Sequence, residues 1–143
     1  MHVFYVRHGD GCKALSPTGL LEMHAAARFF GSLNLNPATT CILSSRMHKA
    51  IESAHIIKDV FGLDTIKEQD WLTSKYVSDA ASEMKDFIRL NPQLETVIAV
   101  SHAAEIEETL NKLGYPYRVD YGSVHEADFE KCRVAKRFVP PID

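Results

Sequence analysis

The run Thr96-Val97-Ile98-Ala99-Val100 limits what this chain can fold into more than any other stretch. It is apolar almost throughout instead of alternating, so as a strand it must be covered on both faces. Strands of that kind belong to parallel sheets packed between helices. The run closes on Ser101-His102. A helical pattern follows at once, with Ala103, Ile106, Leu110 and Leu113 inward and Gly114 at its end.

The same strand-then-helix unit occurs twice upstream. Val3 to Val6 is a short β-branched and aromatic run that ends in Arg7-His8-Gly9-Asp10. After the loop Gly11 to Ala14, Ser16 as N-cap and Pro17 at the first helical position open a helix with the stripe Leu20, Met23, Ala27, Phe30, and Gly31 is placed to end it. Thr40 to Leu43 is the next strand and stops at Ser44-Ser45. Its helix carries Met47, Ala50 or Ile51, Ala54, Ile57 and Phe61, with Ser45 as the expected cap and Gly62 as the stop. Residues 63–66 read as a brief strand and 68–76 as loop. Ser78 is then expected to cap a helix with Ala80 or Ala81, Met84, Phe87 and Ile88, closed by Asn91-Pro92. The tail is strand-rich, at 119–121, 124–129 and 133–139, the last two joined by a Glu130-Lys131 turn. The expected fold is α/β: three layers, α/β/α, around a largely parallel central sheet, as a single domain over residues 1–143.

Composition removes several function classes. The net charge of −3 gives no electrostatic reason to expect nucleic acid or an anionic membrane as partner. No apolar run approaches the roughly 20 residues that span a bilayer. The N-terminus enters a strand without a basic region, so no signal peptide is expected. The three cysteines, Cys12, Cys41 and Cys132, form neither a disulfide framework nor a zinc spacing, which fits reduced thiols in the cytoplasm.

Chemically capable residues stand at the C-terminal ends of three strands: Arg7-His8, Ser45 with Arg46 and Lys49, and Ser101-His102. In a parallel sheet those ends share one edge, where open α/β folds place ligands. Arg46, Lys49 and Ser53 follow each other on one helix face at a helix N-terminus, an arrangement that suits an anion. No buried aspartate offers itself to orient a histidine in a Ser-His-Asp triad, and cations crowd a place where zinc would need ligands. The set suits a dianion with several acceptor oxygens, a phosphoryl group. His2, His48, His55 and His125 lie outside it, and Glu107 and Glu108 read as a solvated helix face.

These residues carry a resemblance. Arg7-His8-Gly9 after the first strand resembles the signature of the histidine phosphatase superfamily, with its phosphoglycerate-mutase-like fold, and the compact chain is most similar to SixA-type phosphohistidine phosphatases. Leu15-Ser16-Pro17-Thr18-Gly19 resembles the family's Leu-Thr-x-x-Gly, and Ser45 to Ala54 resembles its Ser-Pro-x-x-Arg-Ala-x-Gln-Thr-Ala. Val97 to His102 resembles the strand that delivers its second histidine, and Gly122-Ser123-Val124 its late small-residue turn. The resemblance implies that His8 is a transiently phosphorylated nucleophile and that Arg7 and His102 bind phosphate oxygens. It implies no metal or cofactor, the cations taking the role of a magnesium ion. Lys49 stands where the family carries a second arginine, so either Lys49 or Arg46 is expected to complete the phosphate site. The general acid is open among Asp10, Glu68, Asp70 and Glu105, with Asp10 first because it follows Gly9. The implied function is hydrolysis of protein phosphohistidine or of a small phosphate ester. A weak or inactive phosphate-binding module is the rival reading, and a mutase the third. A mutase needs a lid, for which the chain has little material.

Overall fold

In the computed structural model, which describes residues 1–74 and 79–141, six strands form one sheet in the order β3-β2-β4-β1-β5-β6. The strands are β1 (His2–Arg7), β2 (Thr40–Ser44), β3 (Lys67–Glu68), β4 (Thr96–Ser101), β5 (Val124–Asp128) and β6 (Arg133–Phe138). The pairs β3–β2, β2–β4 and β4–β1 are parallel, whereas β1–β5 and β5–β6 are antiparallel. The helices are α1 (Pro17–Ser32), α2 (His48–Phe61), α3 (Ala80–Leu90) and α4 (Ala103–Lys112).

Side-chain alternation along the strands divides the interior into two cores. Phe4 and Val6 of β1, Ile42 of β2 and Ile98 and Val100 of β4 meet Met23, Ala26 and Phe30 of α1 and Ala50, Ala54 and Ile57 of α2. Val3, Tyr5, Cys41, Leu43, Val97 and Ala99 point the other way, onto Met84 of α3 and Ile106 and Leu110 of α4, with Trp71 and Leu72. Every residue of β2 and β4 is buried, as a strand covered on both faces requires. This is the three-layer α/β/α arrangement with a largely parallel sheet. Among the described residues no helix is long and apolar enough to cross a membrane.

Several local expectations are corrected. Residues 119–121 form no strand; they are spent on contacts to the end of β1 described below. The brief strand after α2 lies at Lys67–Glu68 rather than 63–66, because it pairs with Leu43 and Ser44. Leu20 is 41% exposed, and its expected inward place goes to Gly19 and Glu22. Met47 is likewise exposed. The cap of α3 is Asp79, which accepts from the amides of Ala81 and Ser82; the expected cap Ser78 lies outside the described residues. Helix α2 starts at His48 with Met47 at its cap position, later than Ser45 implies; the Ser45 hydroxyl takes the Met47 amide and also reaches His102.

Candidate active site

Register places the strand ends together. Arg7 pairs with Ser101 and Ser44 with Val100. One step beyond the strands, the His8 amide donates to the Ser101 carbonyl at 3.1 Å and the Ser45 amide to the Val100 carbonyl at 2.9 Å. The residues that follow β1, β2 and β4 therefore share one edge.

Gly9 is where the chain leaves β1, and its surroundings leave no room for a side chain. A Cβ there would lie 2.6 Å from the Gly19 carbonyl oxygen, and one on Gly19 would lie 2.0 Å from that of Asp10. The two glycines let the loop press onto the first turn of α1. The Gly9 amide donates to Ser53 Oγ at 3.1 Å, and Ser53 Oγ donates to the Lys49 carbonyl at 2.8 Å. Ser53, expected on an anion-binding face, is instead fully buried and ties α2 to the loop. Glu22, also buried, takes the Asp10 amide at 2.8 Å.

His8 is 5% exposed. Its Nδ1 lies 2.8 Å from its neighbour's carbonyl oxygen, that of Gly9, which can only accept. The proton of the neutral ring is therefore held on Nδ1, and the lone pair is left on Nε2. Nε2 has no hydrogen-bond partner among the described residues. Burial pushes the His8 pKa down to about 4, helped by His102, Lys49 and Arg7, against the raising effect of the Gly9 carbonyl. The ring is neutral at ordinary pH.

The ring of His102 stands edge-on to that of His8, centroids 4.9 Å apart. His102 is the N-terminal cap residue of α4, and its Nε2 lies 2.8 Å from Ser45 Oγ. Ser45 Oγ also accepts from the Met47 amide at 3.1 Å, so the start of α2 and the second histidine are held by one hydroxyl. Burial lowers the His102 pKa; Lys49 and Arg7 add to that, and Glu105, in the first turn of α4, opposes it.

The cations differ in how they are held. The Arg7 guanidinium lies 3.7 Å from the centre of the Tyr121 ring and donates from NH1 to the Val119 carbonyl at 3.0 Å. Its Nε is buried with no hydrogen-bond partner among the described residues. Lys49 Nζ donates to the Gly11 carbonyl at 3.2 Å, and its charge bears on both histidines. Arg46 turns away: it is half exposed and paired with Asp70 and, at 3.6 Å, with Glu68. Glu68 and Asp70, two of the candidate acids, are thereby engaged with Arg46. Asp10 accepts from Ser16 Oγ at 2.9 Å, which sets its carboxylate to fastening the cap of α1.

The structure thus brings together Arg7, His8, Lys49 and His102 and leaves Arg46 and Asp10 with other partners. It adds Tyr121, whose ring also lies 6.0 Å from that of His8, and Val119. Neither has a motif of its own; the nearest signal is the following Gly122-Ser123. Gly122 has φ of +71°, and a Cβ there would meet Pro140 at 2.9 Å, so the turn that presents Tyr121 needs glycine.

No protein-family model and no curated protein sequence matches the chain. Solved structures do. The protein histidine phosphatase SixA in complex with tungstate superposes with a TM-score of 0.79 at 16% identity, over 98% of this chain and 97% of that one. A mycobacterial glucosyl-3-phosphoglycerate phosphatase in complex with VO3 gives 0.74 at 14%, over 97% and 98%. A phosphoserine phosphatase variant from Entamoeba histolytica, in complex with phosphoserine, gives 0.68 at 15%, over 98% and 96%.

Proposed function

The chain has the fold of the histidine phosphatases, and we propose that it is a phosphatase of that kind. The phosphoryl group passes to His8 and then to water. The observation that carries this reading is the held ring of His8: Nδ1 anchored on the Gly9 carbonyl and the ring kept neutral beside Arg7, Lys49 and His102. In the first step Nε2 attacks phosphorus, the Nε2–P bond forms and the bond to the leaving group breaks, the leaving group taking a proton. In the second step water attacks phosphorus, the Nε2–P bond breaks with its electron pair returning to Nε2, and the proton the water gives up to solvent balances the one the leaving group took from it. Arg7, Lys49 and His102 face the charge on the phosphoryl oxygens, the chief demand of phosphoryl transfer. Tyr121 and the Val119 carbonyl orient Arg7.

The substrate class is protein phosphohistidine or a small phosphate ester. A phosphoramidate suits the site better, because its leaving nitrogen is readily protonated and Asp10 is engaged with Ser16. No nucleic acid or membrane enters the scheme. The setting is the cytoplasm, consistent with the free thiols Cys12, Cys41 and Cys132. One observation favours a second reading, a phosphate-binding module of low activity: Lys49 is a point charge and already donates to Gly11.

The test is brief exposure to labelled phosphoramidate and to phosphohistidine protein, quenched in alkali, which preserves phosphohistidine. Label is expected on His8 and absent from His8→Ala. Label retained in full by His8→Ala overturns the assignment, and oxyanion binding without turnover supports the second reading.

A further inference from the structure

An open groove of about 870 Å³ runs between α4 and residues 116–118. Glu107, Glu108 and Asn111 form its α4 wall and Tyr117 and Arg118 part of the other. Glu107 and Glu108, read from sequence as a solvated face, thus line a concavity. Val119 lies between Glu107 of the groove and Arg7 of the phosphoryl site. The amide of Val119 donates to Glu107 Oε2 at 3.0 Å, and its carbonyl accepts from Arg7. On the α4 wall Ala104 lines the groove two residues after His102.

The groove is far larger than a phosphoryl group, and it is open, unlike the enclosed pockets that hold small ligands. Its charge is opposite to that of the neighbouring site. Arg7 and Lys49 mark the phosphoryl end; carboxylates mark the groove, and its cation Arg118 is the residue next to Val119. A ligand that fills both is anionic at one point and cationic a fixed distance away. From His102 to Glu108 the rise along α4 is about 9 Å, which an extended chain covers in about three residues. Tyr117, 65% exposed and propped edge-on against Tyr115 at 5.0 Å, offers a ring face to a cation or a peptide plane.

We propose that this groove seats the polypeptide flank of a phosphorylated side chain, and that Glu107 and Glu108 select a Lys or Arg about three residues from the phosphoryl group. The proposal rests on the phosphatase reading and names its substrate class: a phosphorylated segment with a basic flank. The carboxylate of Glu107 that holds the Val119 amide also couples the occupied groove to the placing of Arg7.

The test uses synthetic phosphohistidine peptides that differ only in Lys or Glu three residues on either side, with phosphoramidate run in parallel. Wild-type kcat/KM is expected to favour the basic peptide by about two- to fivefold, the order of effect for partly exposed charge pairs. Glu108→Gln should shrink that ratio, and Glu108→Lys should invert it. Equal rates on the two peptides, or a preference that survives Glu108→Lys unchanged, overturn the groove assignment while turnover of phosphoramidate keeps the phosphatase reading. If nothing is turned over, the phosphatase reading fails. Fluorescence anisotropy of the same peptides then reads the groove separately: tighter binding of the basic one upholds it and equal affinity overturns it.

Discussion

His8 and His125 lie on neighbouring strands, β1's end and β5, and burial pushes both pKa values down to about 4. Around His8 the second and third contributions are specific: a carbonyl fixes Nδ1, and His102, Lys49 and Arg7 crowd the ring. Around His125 nothing fixes the ring. It is 1% exposed, opposite Tyr5 in the β1–β5 ladder, and both its ring nitrogens and the Tyr5 hydroxyl lack hydrogen-bond partners among the described residues. Tyr115 packs edge-on to it at 5.4 Å, while Lys136 lowers its pKa and Asp120 opposes that. A depressed histidine is therefore not in itself a mark of a site. The mark is an anchored tautomer among converging cations.

The largest separation between the two histidines is expected in turnover. His8→Ala should lose on the order of 10³-fold or more in kcat, the scale for removal of a nucleophile. His125→Phe should stay within about twofold of wild type on phosphoramidate. Comparable losses in both variants, with both folded by circular dichroism, would erase the distinction.

The cations give the next effect. Loss of one charge-assisted hydrogen bond costs about 1.5–3 kcal/mol, or about one to two decades in rate. Lys49→Ala should show that loss. Lys49→Arg should raise turnover, because a planar fork can pair with two phosphoryl oxygens. Arg46→Ala should change little, since Arg46 is spent on Asp70 and Glu68. A severe Arg46→Ala with a neutral Lys49→Arg would transfer the role to Arg46 and require it to leave its carboxylates.

How much of this was legible in the sequence follows from the same contrast. The run 96–100 and the polar residues at three strand ends gave the layers, because strand period and burial are local properties. Arg7, His8, Lys49 and His102 stand out in the sequence for that reason, and the fold brings them together. Nothing in the sequence sets Arg46 and Asp10 apart from them, since their partners, Asp70 and Ser16, are set by loop paths that periodicity does not describe. Ser45 reads as a cap and Ser53 as part of an anion-binding helix face. Their real partners, His102 and the Gly9 amide, lie 57 and 44 residues away in sequence. Tyr121 and Val119 were missed because a residue that braces a guanidinium through its ring or its carbonyl carries no sequence pattern.

Acidity tests the comparison more gently. Both pKa values lie below the 6.5 of a free histidine. As pH falls, the unfolded chain takes up these protons first. The stability tied to each neutral ring is therefore complete above about pH 6.5 and is lost as pH falls towards 4, with a slope of at most about 1.4 kcal/mol per pH unit per group. His125→Phe should flatten that slope by one group's share in urea titrations between pH 6.5 and 4. The kinetics should divide differently. The acid limb of kcat/KM, which reports the free enzyme, should fall near pH 4 in wild type and in His125→Phe. It should move to higher pH in Lys49→Ala, which removes a charge that depresses His8. A limb that moves in His125→Phe and stays in Lys49→Ala would reverse the roles of the two rings.

The smallest effect is the stability of His125→Phe at neutral pH. The substitution removes a buried ring whose two nitrogens have no partner among the described residues and supplies an apolar ring of similar size beside Tyr5 and Tyr115. An unsatisfied buried polar group costs about 1–3 kcal/mol, and its apolar replacement of like shape is near neutral or stabilising. Repacking a slightly larger ring against Tyr115 takes back part of that gain. The net is expected between zero and about +1 kcal/mol, read as a higher urea midpoint at an unchanged slope. His8→Phe has no such expectation, because its ring would lose the bond to Gly9 and face Arg7 and Lys49. A loss of more than about 2 kcal/mol in His125→Phe would mean that the His125 nitrogens are satisfied in solution, by water between them and the Tyr5 hydroxyl. The two histidines would then differ in what anchors the ring, a carbonyl in one case and buried water in the other.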